Sequence, residues 1–156
     1  MAINTKKVIV GGLAAGLVLN VLDFIMNGYI FGDRMKTEMN AFKSGLGDAM
    51  ATMSGNTIAG YVIMDFVLGM LIAYTYAAMR PRFGPGAKTS IIVALVFWVF
   101  GSIVSVNYMM TGMMSRGLWL SFGIAYFVCL VITAMVGRTP HCRAASKRSG
   151  SKPPAV

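Results

Sequence analysis

One histidine and two cysteines among 156 residues leave almost no strong metal ligands and no disulfide framework. Cys129 lies within an apolar run and reads as an inert, buried thiol; Cys142 lies beyond that run. No further His or Cys joins His141 and Cys142 to complete a zinc site within one chain. Acidic residues number five, and charged residues of both signs make up only 12% of the chain, against about one quarter in soluble domains. So little charge does not clothe a water-soluble fold. The nucleophile, base and orienting residue of a hydrolytic site are missing as a set, as is a glycine-rich phosphate loop ahead of a helix, and no enzymatic activity is expected. Haem would have to be held by Met, Cys, Tyr or a borrowed ligand, because no histidine stands in an apolar run. The bases carry little aromatic interleaving, so nucleic acid is not an expected partner either.

What the chain has instead is 56% apolar residues gathered into four long runs, over 8–31, 56–79, 89–110 and 118–137. A helix rises about 1.5 Å per residue and the hydrocarbon layer is about 30 Å thick, so each run is long enough to cross a bilayer. The expected fold is all-α: a four-span membrane bundle over 1–137, followed by a flexible basic tail over 138–156. None of the 14 Lys and Arg lies inside a span. With both termini cytoplasmic, that side holds Lys6, Lys7, Arg80, Arg82, Lys88, Arg138, Arg143, Lys147, Arg148 and Lys152, whereas Arg34, Lys36, Lys43 and Arg116 lie opposite. The imbalance predicts a multi-pass protein of a bacterial cytoplasmic membrane, with both termini inside and the tail touching anionic headgroups.

The connection over 32–55 is the only long one. Met35, Met39, Phe42, Leu46, Met50 and Met53 recur there at spacings of three and four, which predicts an external amphipathic helix lying in the interface, with Gly45 and Gly47 marking a bend. Pro81 and Pro85 with Gly84 and Gly86 predict a tight turn that ends the second span near Arg80.

Small residues mark candidate packing faces: Gly12 and Gly16 in span one, Gly69 and Ala73 in span two, Gly101 in span three, and Ser121, Ala125, Cys129 and Thr133 at strict fourth positions in span four. Polar residues mark a candidate intramembrane site. Asn20, Asp23 and Asn27 share one face of span one, Asp65 stands in span two beside Tyr61, and Ser105 and Asn107 stand in span three. Counted from the span ends, Asp23 and Asp65 both fall about 12–14 Å below the outer boundary. Two carboxylates at one depth would share a proton, bind a cation, or pair with Arg34 or Arg116. A structural polar core is the plainer account of the same residues.

Methionine supplies a second pattern. Met109, Met110, Met113 and Met114 crowd the turn between spans three and four, and thioethers are soft ligands suited to Cu(I). The MMTGMM run resembles the methionine clusters of copper-handling membrane proteins, although packing against lipid also uses Met. No other cofactor is evident. The opening NTKKVIVGGLAAGLVLNVLDFIMNG and the four-span plan resemble small uncharacterised integral membrane proteins common in bacteria. They also resemble small multidrug transporters, which carry an acid in their first span, here Asp23. This chain departs from that pattern in its additional Asp65 and its larger external connection. Three functions follow as expectations: an accessory or structural subunit of a membrane assembly, acting as a homo-oligomer or within a larger complex; a small oligomeric proton- or cation-coupled transporter or channel using Asp23 and Asp65; and a copper-binding membrane protein using the external methionines.

Overall fold

The structure is a computed structural model and describes residues 4–138. The basic residues and the His141–Cys142 pair expected in the tail beyond Arg138 lie outside the described residues. Seven helical segments follow in order: α1 (Thr5–Ile25), a π-helical turn (Met26–Ile30), α2 (Gly32–Phe42), α3 (Leu46–Ala51), α4 (Gly55–Phe83), α5 (Ala87–Met110) and α6 (Arg116–Gly137). Four of them, counting α1 with its π turn as one, are long and apolar enough to cross a membrane. Their surfaces are apolar around the bundle, with Phe24, Met64, Phe100 and Ile124 each about two-thirds exposed. A surface of this kind suits lipid and not water.

Three of the four spans start where a polar side chain satisfies a free backbone N–H group, and α5 starts after Gly86 with no side-chain cap. The side chains of Asn4, Ser54 and Ser115 accept from Lys7, Thr57 and Leu118. The second span does not end near Arg80. Pro81 sits inside the last turn of α4, where it removes one hydrogen bond, and the helix stops only at Gly84, whose φ of 84° turns the chain away.

The four long helices alternate in direction. Helix α1 packs mainly on α4 and then on α6, and α5 packs mainly on α6, so α1 and α5 occupy opposite corners of the bundle. Packing is tightest toward the end that holds the N-terminus. There Ile72, Tyr76, Val93, Ala94, Leu130 and Ala134 are all buried, and Ser90 Oγ donates to the Ala134 carbonyl at 3.3 Å. The Tyr76 hydroxyl accepts from the Gly86 N–H at 3.1 Å, tying the α4–α5 turn back onto this core.

At the opposite end a second cluster joins α1, α2 and α6 through Met26, Phe31, Met114, Leu118 and Cys129. Met26 and Phe31 are five residues apart and would face different sides of a regular helix. The wider π turn brings both inward, and Phe31 meets Phe122 edge to face at 5.4 Å.

The connection over 32–55 is not the single amphipathic helix expected from its methionine spacing. It is a hairpin of α2 and α3, because Gly45 takes a φ of 81° and reverses the chain. Gly47 lies so close to the Lys36 backbone that no side chain fits between them. Asn40 holds the hairpin closed: its Oδ1 accepts from Gly47 N–H at 2.7 Å, and its Nδ2 donates to Asp48 Oδ2 at 3.1 Å. Met39 is buried and Met35 half-buried, with Met35 packed against the second cluster.

Candidate functional site

Helices α1 and α4 meet through glycine. A methyl group at Gly69 would meet the Gly16 Cα at 2.6 Å and the Gly12 carbonyl oxygen at 2.8 Å, and one at Gly16 would meet the Phe66 Cα at 2.8 Å. Backbone therefore lies on backbone, which allows the dense packing on which helix association in lipid depends. Ala73 is buried beside Gly11 and Gly137, where α1, α4 and α6 meet. Cys129 and Thr133 are also buried, with Thr133 Oγ1 donating to the Cys129 carbonyl, while Ala125 packs on the second cluster and Ser121 is half-buried. Gly101 is different: it is exposed, with nothing within 4 Å of the position a Cβ would take.

This contact sets the level of the acids. Gly12 lies against Met70, Gly16 against Phe66, and Asn20 reaches the Val62 carbonyl, so the two antiparallel helices keep one register. Continued along the pair, Asp65 falls opposite Leu17, and Asp23 lies about 9 Å farther along the axis, toward the α2–α3 hairpin. The equal depth obtained by counting from the outer span ends is replaced by this stagger, because the same register sets Asn56 opposite Met26 and not opposite Phe31. Leu22, next to Asp23, packs on the second cluster with Ala125 and Cys129 of α6, and Leu68 of α4 packs on the first with Tyr126 of α6, so the acids lie between α1, α4 and α6.

Both carboxyls are half-buried, and among the described residues no hydrogen bond or ion pair reaches either of them. Arg34 instead pairs with Glu38 at 3.5 Å, and Arg116 stands at the rim of a groove at the bundle end. Asn20 donates to the Gly16 carbonyl at 2.9 Å and to the Val62 carbonyl at 3.4 Å, bridging α1 and α4. Asn27 is exposed and donates to the Asp23 backbone carbonyl at 3.0 Å, and Tyr61 is exposed. Ser105 and Asn107 lie elsewhere. Ser105 accepts from Trp119 Nε1 at 3.0 Å in the α5–α6 contact, and Asn107 donates to the Val104 carbonyl of its own helix.

Neither a family model, nor a curated protein, nor a solved structure matches the chain. The geometry of the site therefore has to carry the functional reading by itself.

Tyr126 belongs to the site although sequence spacing singled out its neighbour Ala125. A Tyr in an apolar run gives no sign of which face it takes until the partner helices are placed. Among the described residues, no three His, Cys, Asp or Glu side chains gather as a metal site. The four turn methionines, by contrast, all line one open groove of about 810 Å³ with Glu38 and Arg116. Glu38 is occupied there. Its Oε2 accepts from the Ser115 N–H at 2.6 Å and its Oε1 from the Ser115 hydroxyl at 2.7 Å, so a residue of α2 caps the start of α6.

Proposed function

We propose that this chain is a non-catalytic structural or accessory subunit of a membrane assembly, built with further copies of itself or within a larger complex. The observation that carries the reading is Asp65, a carboxyl inside a membrane-length helix with no polar partner among the described residues. Left against lipid, such a group is costly. Immediately before it, every residue from Gly55 to Met64 is exposed, so this half of α4 is free to receive another polypeptide. A neighbouring helix there would supply the missing hydrogen bonds and shield the acid from lipid. We place the assembly in a bacterial cytoplasmic membrane, with the basic end of the bundle against anionic cytoplasmic headgroups and the α2–α3 hairpin in the external interface.

Native mass spectrometry after gentle extraction tests this reading. A second copy or a distinct chain should remain bound, and Asp65→Asn should weaken that association. A chain that stays monomeric with lipid alone overturns the proposal.

The placement of Asp23 and Asp65 on the paired faces of α1 and α4, about 9 Å apart along the axis, favours a second reading, a proton- or cation-coupled carrier. Vesicles reconstituted with the protein should then move protons or cations, and Asp23→Asn or Asp65→Asn should abolish that flux. Equal flux in the wild type and both variants removes the carrier.

A further inference from the structure

We propose that the turn between α5 and α6 binds a soft monovalent metal ion, Cu(I) or its redox-inert analogue Ag(I), through thioether sulfurs. The site is independent of the acids between α1, α4 and α6. The turn is closed by its own backbone: Thr111 N–H donates to the Asn107 carbonyl at 2.9 Å, Gly112 N–H to Met109 at 3.1 Å, and Met114 N–H to Tyr108 at 3.1 Å. Gly112, with a φ of 78°, lets the chain reverse between the two methionine pairs. Four methionines within six residues therefore border a single groove and do not spread around a helix.

The other side chains of the groove decide which ion it takes. Both Glu38 oxygens are engaged by Ser115, and the Ser115 hydroxyl is itself shared between Glu38 and the Leu118 N–H. Arg116 adds a positive charge at the rim. The remaining side-chain donors are neutral sulfurs. Hard or borderline divalent ions gain little from such a set, whereas thioethers suit a soft, singly charged ion. Exposure is graded in the same direction: Met110 is 76% exposed, Met109 and Met113 are half-buried, and Met114 is 8% exposed. An ion arriving from outside thus meets thioethers at successive depths.

Titration of the full-length protein in lipid nanodiscs with Ag(I) tests the site, read by calorimetry and by tryptophan fluorescence, since Trp119 packs on the cluster that contains Met114. One ion per chain should bind, with a change in emission. The double variant Met109→Leu/Met113→Leu keeps side-chain volume and leaves the buried Met114 in place; it should weaken binding at least tenfold. Met53→Leu, at an exposed methionine outside the groove, should leave it unchanged. Unaltered affinity in the double variant, equal loss in Met53→Leu, or comparable binding of Zn(II) at the same groove would each overturn the assignment.

Discussion

Glu38 joins the hairpin to the bundle through one carboxylate. Burial pushes this carboxyl up, but the backbone and side-chain hydrogen bonds from Ser115, with Arg34 beside it, outweigh that effect and hold it below the ordinary carboxylate range. A depressed folded-state value means that the ionised form favours docking. That contribution is complete above the unfolded carboxylate range and is lost as pH falls through the folded value. Emission from Trp119 should accordingly report loosening of the hairpin only as pH falls below the ordinary carboxylate range, and Glu38→Gln should remove that transition. Glu38→Ala should destabilise the docked hairpin by about 1.5–3 kcal/mol, the usual loss for hydrogen bonds to a charged group. The helix contact offers a residue-scale comparison as well. Gly69→Ala drives a methyl into the Gly16 and Gly12 backbone, with no flexible side chain to yield, and should cost about 1–3 kcal/mol in unfolding from detergent. Gly101→Ala meets open space and should stay within about 0.5 kcal/mol of the wild type. Equal effects at the two positions would contradict the α1–α4 contact.

At the scale of elements, the hairpin depends on Asn40, whose side chain holds the Gly47 N–H and the Asp48 carboxylate. Asn40→Ala should raise hydrogen exchange across Leu46–Ala51 while leaving α1 and α6 protected; unchanged exchange in α3 would show that Gly45 alone shapes the turn. The four long helices were legible because uninterrupted hydropathy is a local property. The hairpin was less so. A methionine at every third or fourth position looks the same whether a glycine bends the helix or reverses it, and only the left-handed φ of Gly45 decides between them. Gly12, Gly16, Gly69 and Ala73 were visible as small residues at fourth positions, and they lie where α1 meets its neighbours. Gly101 was marked as a small packing residue too, yet nothing lies within 4 Å of the position its Cβ would take, since a pattern marks a face without saying what covers it. Asp23 and Asp65 do not share a level for a related reason: depth follows from inter-helix register, which sets the start of α4 opposite Met26, and hydropathy carries no sign of that offset.

Across the whole molecule, charge differs between the two ends of the bundle. Lys6, Lys7, Arg80, Arg82, Lys88 and Arg138 lie at one end with no acid among the described residues, whereas Arg34, Lys36, Lys43 and Arg116 share the other with Asp33, Glu38 and Asp48. Ion pairing widens the difference, because Arg34 is joined to Glu38, and Lys36 to Asp48 at 2.8 Å. Lys and Arg close to span ends are retained on the cytoplasmic side during insertion, so the end that holds six of them against four should face inward. Single cysteines in a Cys142→Ser background test this, since Cys129 is buried and shielded from reagent. Ser44→Cys, in the exposed turn between α2 and α3, should react with a membrane-impermeant maleimide on intact cells. Pro85→Cys, in the turn between α4 and α5, should react only after the cells are opened. The reverse pattern would invert the orientation and place the methionine groove in the cytoplasm. Replacing Arg80, Arg82 and Lys88 together with Gln leaves Lys6, Lys7 and the five bases from Arg138 onward in the sequence, seven against four opposite. The bias in Lys and Arg survives, so labelling should match the unsubstituted background; mixed labelling at both turns would show that the α4–α5 turn by itself sets the orientation.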